Sequence, residues 1–130
     1  MKVSLHMTAL SAAWFGFLGG IAVAADMLVF NEPAFQAAQR SGDPILVETY
    51  SAGCPICWVQ EGTVRELLRN PEYNGLRVFV IDADNRKDAM RAVGAQTRST
   101  LIVYKNGQEI ARAVGTTRPD EIAALIAKAY

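Results

Sequence analysis

The sequence is poor in residue types on which several common protein functions depend. Histidine occurs once, as His6, and cysteine twice, as Cys54 and Cys57. Two cysteines are too few for a small domain held together by several disulfides. Basic and acidic side chains number thirteen each, so the chain lacks the positive field of a strong nucleic-acid binder. Its 130 residues are 51% hydrophobic, which suits one folded domain and excludes wholesale disorder.

The first 25 residues have the three parts of a secretory signal. A short basic head precedes an apolar stretch, and Ala22–Ala25 stand directly before Asp26. We expect cleavage on one side of Ala25, export to the periplasm or an equivalent compartment, and a mature domain spanning residues 26–130. An uncleaved membrane anchor is the alternative, because residues 8–25 are close to the shortest stretch that spans a bilayer.

Removal of residues 1–25 would leave a domain that cannot use histidine in catalysis. The mature domain has no histidine, and its twelve basic and thirteen acidic residues give a net charge of −1. Reactions that need an imidazole base, such as proteolysis by a cysteine–histidine pair, are therefore excluded.

Strand and helix patterns alternate along the mature sequence. Runs of β-branched and aromatic residues predict strands, and apolar spacings of three to five predict helices. Asn106-Gly107 is typical of a hairpin turn. The order β-α-β-α-β-α-β-β-α predicts an α/β fold, with a mixed sheet of about five strands flanked by helices on both faces. The predicted strands are 27–30, 45–50, 76–82, 100–104 and 108–114; the predicted helices lie between 31 and 41, and at 54–69, 84–93 and 119–129.

The two cysteines lie where a strand turns into a helix. Unpaired N–H groups and partial positive charge at a helix start stabilise a thiolate, so we expect the pKa of the Cys54 thiol to lie below its free value. Cys57 follows one turn later, within disulfide reach and less exposed. We therefore predict that Cys54 attacks and that Cys57 resolves the resulting mixed disulfide.

Other interpretations of the cysteine pair remain open at this point. The pair is compatible with an inert disulfide in a non-catalytic binding module, although a four-residue loop contributes little stabilisation. It is also compatible with a metal or iron–sulfur carrier that uses two chains, because one chain offers only two thiolates. We expect no metal site within a single chain.

The residues around the pair resemble the thioredoxin family. Ile45–Glu48 followed by Cys54-x-x-Cys57 is similar to the family's central strand and active-site loop, and Thr100–Gly107 to its late hairpin. Gly115 falls where the family keeps a glycine close to the active site. The resemblance implies a thioredoxin-like fold, disulfide exchange with protein partners, and no cofactor beyond the Cys54–Cys57 disulfide.

Two departures from the family pattern concern the chemistry of the pair. Glu48 occupies the position of the family's buried aspartate, which implies a proton acceptor for Cys57. Ser99 stands where the family has a cis-proline, and we expect a trans Arg98–Ser99 bond because a cis bond there costs about 3–4 kcal/mol. The resemblance implies that Ser99 offers backbone groups and a hydroxyl to a substrate or thiolate, and that Thr100 shapes the same face.

Four further positions bear on the partner. Pro55 and Ile56 between the cysteines are similar to the residues of glutaredoxins and exported disulfide-handling proteins. Trp58 either joins them in a docking patch or is buried in the core. Arg98 is expected to stabilise the thiolate, to steer an acidic partner, or to be simply solvated. We expect a monomer that acts as a reductant or relay, supplied by a membrane electron donor.

Overall fold

The computed structural model describes residues 25–130, so the predicted signal segment, Ala25 apart, lies outside the described residues. The described chain forms five strands and four α-helices. None of these helices is long and apolar enough to cross a membrane. The strands are β1 (Asp26–Val29), β2 (Ile45–Tyr50), β3 (Arg77–Asp82), β4 (Thr100–Lys105) and β5 (Gln108–Val114); the helices are α1 (Glu32–Ser41), α2 (Pro55–Leu67), α3 (Lys87–Ala92) and α4 (Pro119–Ala127), with a short 3-10 helix at Pro71–Tyr73.

The strands form one mixed sheet in the order β1-β3-β2-β4-β5. Strands β1 and β2 run parallel to β3, whereas β4 is antiparallel to both β2 and β5. Strand β2 therefore lies at the centre, and its first five residues are buried. This architecture confirms the predicted α/β fold.

The two faces of the sheet pack against different helices. One core joins the sheet to α1 and α3, and includes Phe35, Val47 and Phe79. The other joins it to α2 and α4, and includes Leu46 and Val64. Because successive side chains of a strand point to opposite faces, Glu48 faces α2 and α4 together with Leu46.

Local hydrogen bonds explain where the first helix begins and ends. The Asn31 side chain caps α1 by accepting from the N–H of Ala34 at 3.0 Å, and proline occupies the first turn. Gly42 ends the helix with a φ of 73°, a left-handed conformation that favours glycine. Both features agree with the predicted limits of this helix.

Helix α3 is shorter than the sequence pattern predicted. The pattern placed its start at Asp84, whereas the structure begins it at Lys87. The Asp82 carboxylate accepts from the N–H groups of Asp84 and Asn85, at 3.0 and 3.2 Å. Such side-chain contacts stabilise a turn in competition with the helix, so the segment after β3 remains a turn.

Candidate active site

Cys54 is the N-cap residue of α2. Its sulfur accepts a hydrogen bond from the backbone N–H of Cys57 at 3.2 Å, and Pro55, which has no N–H, occupies the first turn. The two cysteines form a disulfide with their Cα atoms 5.2 Å apart. Cys54 is 4% exposed and Cys57 fully buried, which is the order of exposure that the sequence predicted.

Hydrogen bonds hold the loop between β2 and the cysteines. The carbonyl of Ser51 accepts from the N–H of Cys54 at 3.1 Å, and the Ser51 hydroxyl donates to the Asp84 carboxylate at 2.7 Å. The indole N–H of Trp58 donates to the carbonyl of Ala52 at 3.0 Å. The loop is thus connected both to the turn after β3 and to α2.

Ser99 contacts the disulfide directly. Its hydroxyl oxygen lies 3.2 Å from the sulfur of Cys54 and 3.2 Å from that of Cys57. A disulfide sulfur carries no proton, so the hydroxyl is the donor in this oxidised state. The expected contact between the Ser99 hydroxyl and the cysteine pair is therefore present in the disulfide form, and its action on a thiolate stays a prediction.

The backbone of Ser99 is held in an uncommon conformation. Its φ is 62°, in the left-handed region that few residues other than glycine adopt. Its N–H donates to the carbonyl of Thr49 at 2.9 Å, and its own carbonyl accepts from Gly115 N–H at 2.9 Å and from Gln60 Nε2 at 3.2 Å. No peptide bond of residues 25–130 is cis, so the Arg98–Ser99 bond is trans as predicted.

These bonds correct the expectation that the Ser99 backbone is offered to a substrate. Both of its backbone groups are already used within the chain, and only its hydroxyl faces the sulfurs. Thr100 is likewise turned inward: it is 1% exposed, its N–H donates to the Thr49 hydroxyl at 2.9 Å, and its own hydroxyl donates to the Thr97 carbonyl at 2.8 Å. Thr100 therefore stabilises the loop that carries Ser99 from the protein interior and does not form part of the exposed substrate face. Gly115, with a φ of 72°, lies beside Ser99 as expected.

Glu48 is fully buried, and neither carboxylate oxygen has a hydrogen-bond partner among the described residues. The pKa of Glu48 is raised from 4.5 to about 8, chiefly by burial and also by the nearby carboxylate of Glu61, while Arg65 opposes the shift. At neutral pH the side chain is therefore mostly protonated. Glu48 is therefore not a solvated acid at the end of a strand.

An apolar surface adjoins the disulfide on α2. Ile56, Trp58 and Val59 are 46, 54 and 52% exposed, and Pro55 is exposed beside them. Trp58 is thus not a core residue. Ile56 and Val59 are apolar and three residues apart, as on the buried side of a helix, but the buried residues of α2 are Cys57, Gln60 and Val64.

Gln60 is a site residue that sequence reasoning missed. It is fully buried, and its side-chain nitrogen donates to the carbonyls of Ser99 and Thr116 at 3.2 and 2.7 Å. The available signal was a glutamine three residues after Cys57, where the inward face of the helix continues. Arg98, by contrast, is exposed and forms no ion pair within residues 25–130.

In the described part of the chain, no group of three or more His, Cys, Asp or Glu side chains is placed to hold a metal ion. What the site holds is a disulfide at a helix start, contacted by the Ser99 hydroxyl. The buried carboxyl group of Glu48 lies on the face of the sheet that packs against the same helix. A disulfide in this setting accepts two electrons and two protons to become a dithiol. Fold and site together define a thiol–disulfide oxidoreductase.

Comparison with known proteins agrees with this class. The thioredoxin family model matches residues 26–128. An H-type thioredoxin of Fagopyrum esculentum is 31% identical over 88 residues, which cover 68% of this chain and 73% of that protein. Thioredoxin of Haemophilus influenzae is 26% identical over 103 residues, covering 78% of this chain and 94% of its own. The chain belongs to the thioredoxin family.

Solved structures give the same result. The crystal structure of Trxlp from Edwardsiella tarda EIB202 superposes with a TM-score of 0.75 at 37% identity, covering 78% of this chain and 98% of that one. A thioredoxin mutant from Halobacterium salinarum NRC-1 superposes with a TM-score of 0.71 at 24% identity, covering 84% and 95%. The second likeness supports the fold alone.

Proposed function

We propose that this protein is exported and exchanges disulfides with partner proteins, as a reductant or relay. The observation that carries the disulfide exchange is the placement of Cys54, whereas the export proposal rests on the signal-like sequence of residues 1–25. Its sulfur caps α2, accepts the N–H of Cys57 and is contacted by the Ser99 hydroxyl. The Cys57 N–H and the Ser99 hydroxyl are both donors that stabilise a thiolate at Cys54, and the thiolate is the attacking form of a cysteine.

The exchange then proceeds in two balanced steps. In the reduced protein, the Cys54 thiolate attacks one sulfur of a partner disulfide, forming a bond to that sulfur and releasing the other as a thiolate. The Cys57 thiolate next attacks Cys54, closes the Cys54–Cys57 disulfide and releases the second partner sulfur. Two electrons pass to the partner, and its two thiolates take up protons from solvent.

Glu48 is the proposed proton acceptor for Cys57. The Cys57 thiol must lose its proton before it attacks, and it is buried away from solvent. With a pKa of about 8, a minority of Glu48 is ionised at neutral pH, and this carboxylate form is the one that takes up the Cys57 proton. Glu48 faces α2, the helix that carries Cys57.

The partner is a protein that docks on the apolar surface beside Cys54. Exposed apolar side chains next to a reactive group are typical of docking surfaces, and aromatic residues contribute disproportionately to binding. Ile56, Trp58 and Val59 supply such a surface. We propose that the protein acts as a monomer and that Arg98, exposed and unpaired within the described chain, attracts acidic partners.

We propose that the protein is a reductant or relay because the domain has the basic thioredoxin-like fold without an added helical domain. Only α3 separates β3 from β4, with no inserted helical domain between them. A reductant outside the cytoplasm needs a source of electrons, so the proposal includes a membrane-bound donor.

Fractionation of a Gram-negative host that produces the full chain tests the export proposal. We expect the protein in the periplasmic fraction, starting at Ala25 or Asp26 and reducing a disulfide substrate when supplied with a dithiol. The chain without residues 1–25 is the matched control and should stay in the cytoplasm. Retention of the full chain in the cytoplasm with Met1 intact contradicts export, and retention in the membrane fraction favours the anchor.

Ser99→Ala tests the hydroxyl contact. A hydrogen bond to a charged group contributes about 1.5–3 kcal/mol, and here it favours the thiolate over the disulfide. Its loss should therefore shift the equilibrium with glutathione at least tenfold toward the disulfide, a potential about 30 mV more negative. Thr97→Ala, on the same loop without sulfur contact, is the control. An unchanged equilibrium in Ser99→Ala would show that the hydroxyl does not act on the thiolate.

A further inference from the structure

Gln60 is a polar residue at a position where α2 faces the core. It lies between Cys57 and Val64 on the buried stripe of the helix and is itself fully buried. Burying an amide costs free energy unless it is hydrogen-bonded, and an apolar side chain packs at such a position without that cost. Its carbonyl oxygen has no hydrogen-bond partner among the described residues, so the amide is a poor solution for stability alone.

The amide nitrogen of Gln60 joins two separate loops to α2. It donates to the carbonyl of Ser99, just before β4, and to the carbonyl of Thr116, just after β5. Both partners are acceptors, which requires the N–H end of the amide to point toward them. An amide has two N–H groups, and both are used in these contacts.

The position of the Ser99 hydroxyl depends on this connection. Ser99 has an uncommon left-handed φ of 62°, which the surrounding hydrogen bonds must maintain. Its carbonyl is held from two sides, by Gly115 N–H and by Gln60, and its hydroxyl is 3.2 Å from each sulfur. Gln60 and the cysteines are on one helix, so the contact fixes the distance between the hydroxyl and the redox pair.

We propose that Gln60 is a positioning residue that sets the redox equilibrium of the Cys54–Cys57 pair by holding the Ser99 hydroxyl against the sulfurs. Gln60 touches neither sulfur through a hydrogen bond, and it acts through Ser99. The inference rests on the proposed function insofar as the pair must exchange with thiols.

A double-mutant cycle in glutathione buffers tests the proposal. The proteins are the wild type, Gln60→Met, Ser99→Ala and the double variant, each equilibrated at several glutathione ratios and analysed for the disulfide fraction. We expect Gln60→Met to shift the equilibrium about threefold or more toward the disulfide, in the direction of Ser99→Ala. In the Ser99→Ala background the same substitution should have no further effect, because the hydroxyl through which it acts is absent.

Val64→Ala is the matched control for packing. Val64 lies on the same buried stripe, one turn after Gln60, and makes no side-chain hydrogen bond. Its truncation should lower the thermal stability of the protein while leaving the glutathione equilibrium unchanged. A shift of the equilibrium in this control equal to that in Gln60→Met would assign the effect to stability and overturn the proposal.

An NMR measurement on the wild type covers the case in which Gln60→Met does not fold. The side-chain NH2 protons of Gln60 should exchange slowly with solvent and should shift on reduction of the disulfide, because they bind the Ser99 carbonyl. Fast exchange and no redox-linked shift would overturn the proposal.

The possible failures are distinguishable. A wild-type protein that does not exchange with glutathione removes the proposed function itself. A wild type that exchanges, together with an unaltered equilibrium in folded Gln60→Met or an additive effect in the double variant, removes only the role of Gln60.

Discussion

Replacing Cys54 by serine should reduce disulfide exchange to the rate seen without protein. No other thiol is positioned to attack, since Cys57 is fully buried and is the only other cysteine of the sequence. A serine hydroxyl is not ionised at neutral pH and cannot form the mixed disulfide. The measurement is reduction of a protein disulfide by a dithiol with catalytic amounts of the variant.

Cys57→Ser is the matched control for this prediction. It retains the attacking thiol but loses the resolving one, so it should complete the first step and accumulate a covalent complex with its partner. Mass spectrometry of that complex should locate the bond at Cys54. Turnover in Cys54→Ser, or a complex bonded through residue 57 in the wild type, would reverse the assigned roles.

Glu48→Gln should make the protein more stable, and the gain should grow as the pH rises from 4.5 to 8. The folded protein keeps the Glu48 proton up to a pKa of about 8, whereas the unfolded chain releases it near 4.5. Unfolding therefore releases a proton in this window and becomes easier as the pH rises. The wild type should lose about 4 kcal/mol of unfolding free energy across the window relative to the glutamine variant, and the difference should level off above it.

Urea unfolding of the oxidised proteins at several pH values measures this difference. Few other groups titrate between pH 4.5 and 8 and change the stability there, because the only histidine of the sequence is His6 and the disulfide removes both thiols from titration. Glu66→Gln, at an exposed position of α2, is the control for losing one carboxylate. Parallel pH profiles for the wild type and Glu48→Gln would contradict the raised pKa.

Glu48→Gln should also slow release of the mixed disulfide, since glutamine accepts no proton from Cys57.

The sequence was sufficient to predict the fold because its strongest patterns coincide with the central elements. The apolar run that forms β2 and the Asn106-Gly107 turn each specify one local structure with few alternatives. The exposure of Cys54 relative to Cys57 followed from the start of the helix alone. Each of these features is determined by residues that are close together in the sequence.

The detailed arrangement of the site could not be predicted, because it depends on contacts between distant segments. Which stripe of α2 is buried was ambiguous, since apolar residues occur on both sides of it, and Gln60 was therefore overlooked. The inward bonds of Ser99 and Thr100 arise from Thr49 and Gly115, which lie far away in the sequence. The short α3 reflects the competition of Asp82 for nearby N–H groups.

The reduction potential of the Cys54–Cys57 pair tests the central claim most directly. That claim is a working redox pair poised to reduce the disulfides of other proteins. Equilibration in glutathione buffers, with the disulfide fraction read by thiol trapping, gives the potential. The account predicts a value close to that of thioredoxin, about −270 mV. A value near that of strong exported oxidants, about −120 mV, or no exchange with glutathione at all, would contradict it.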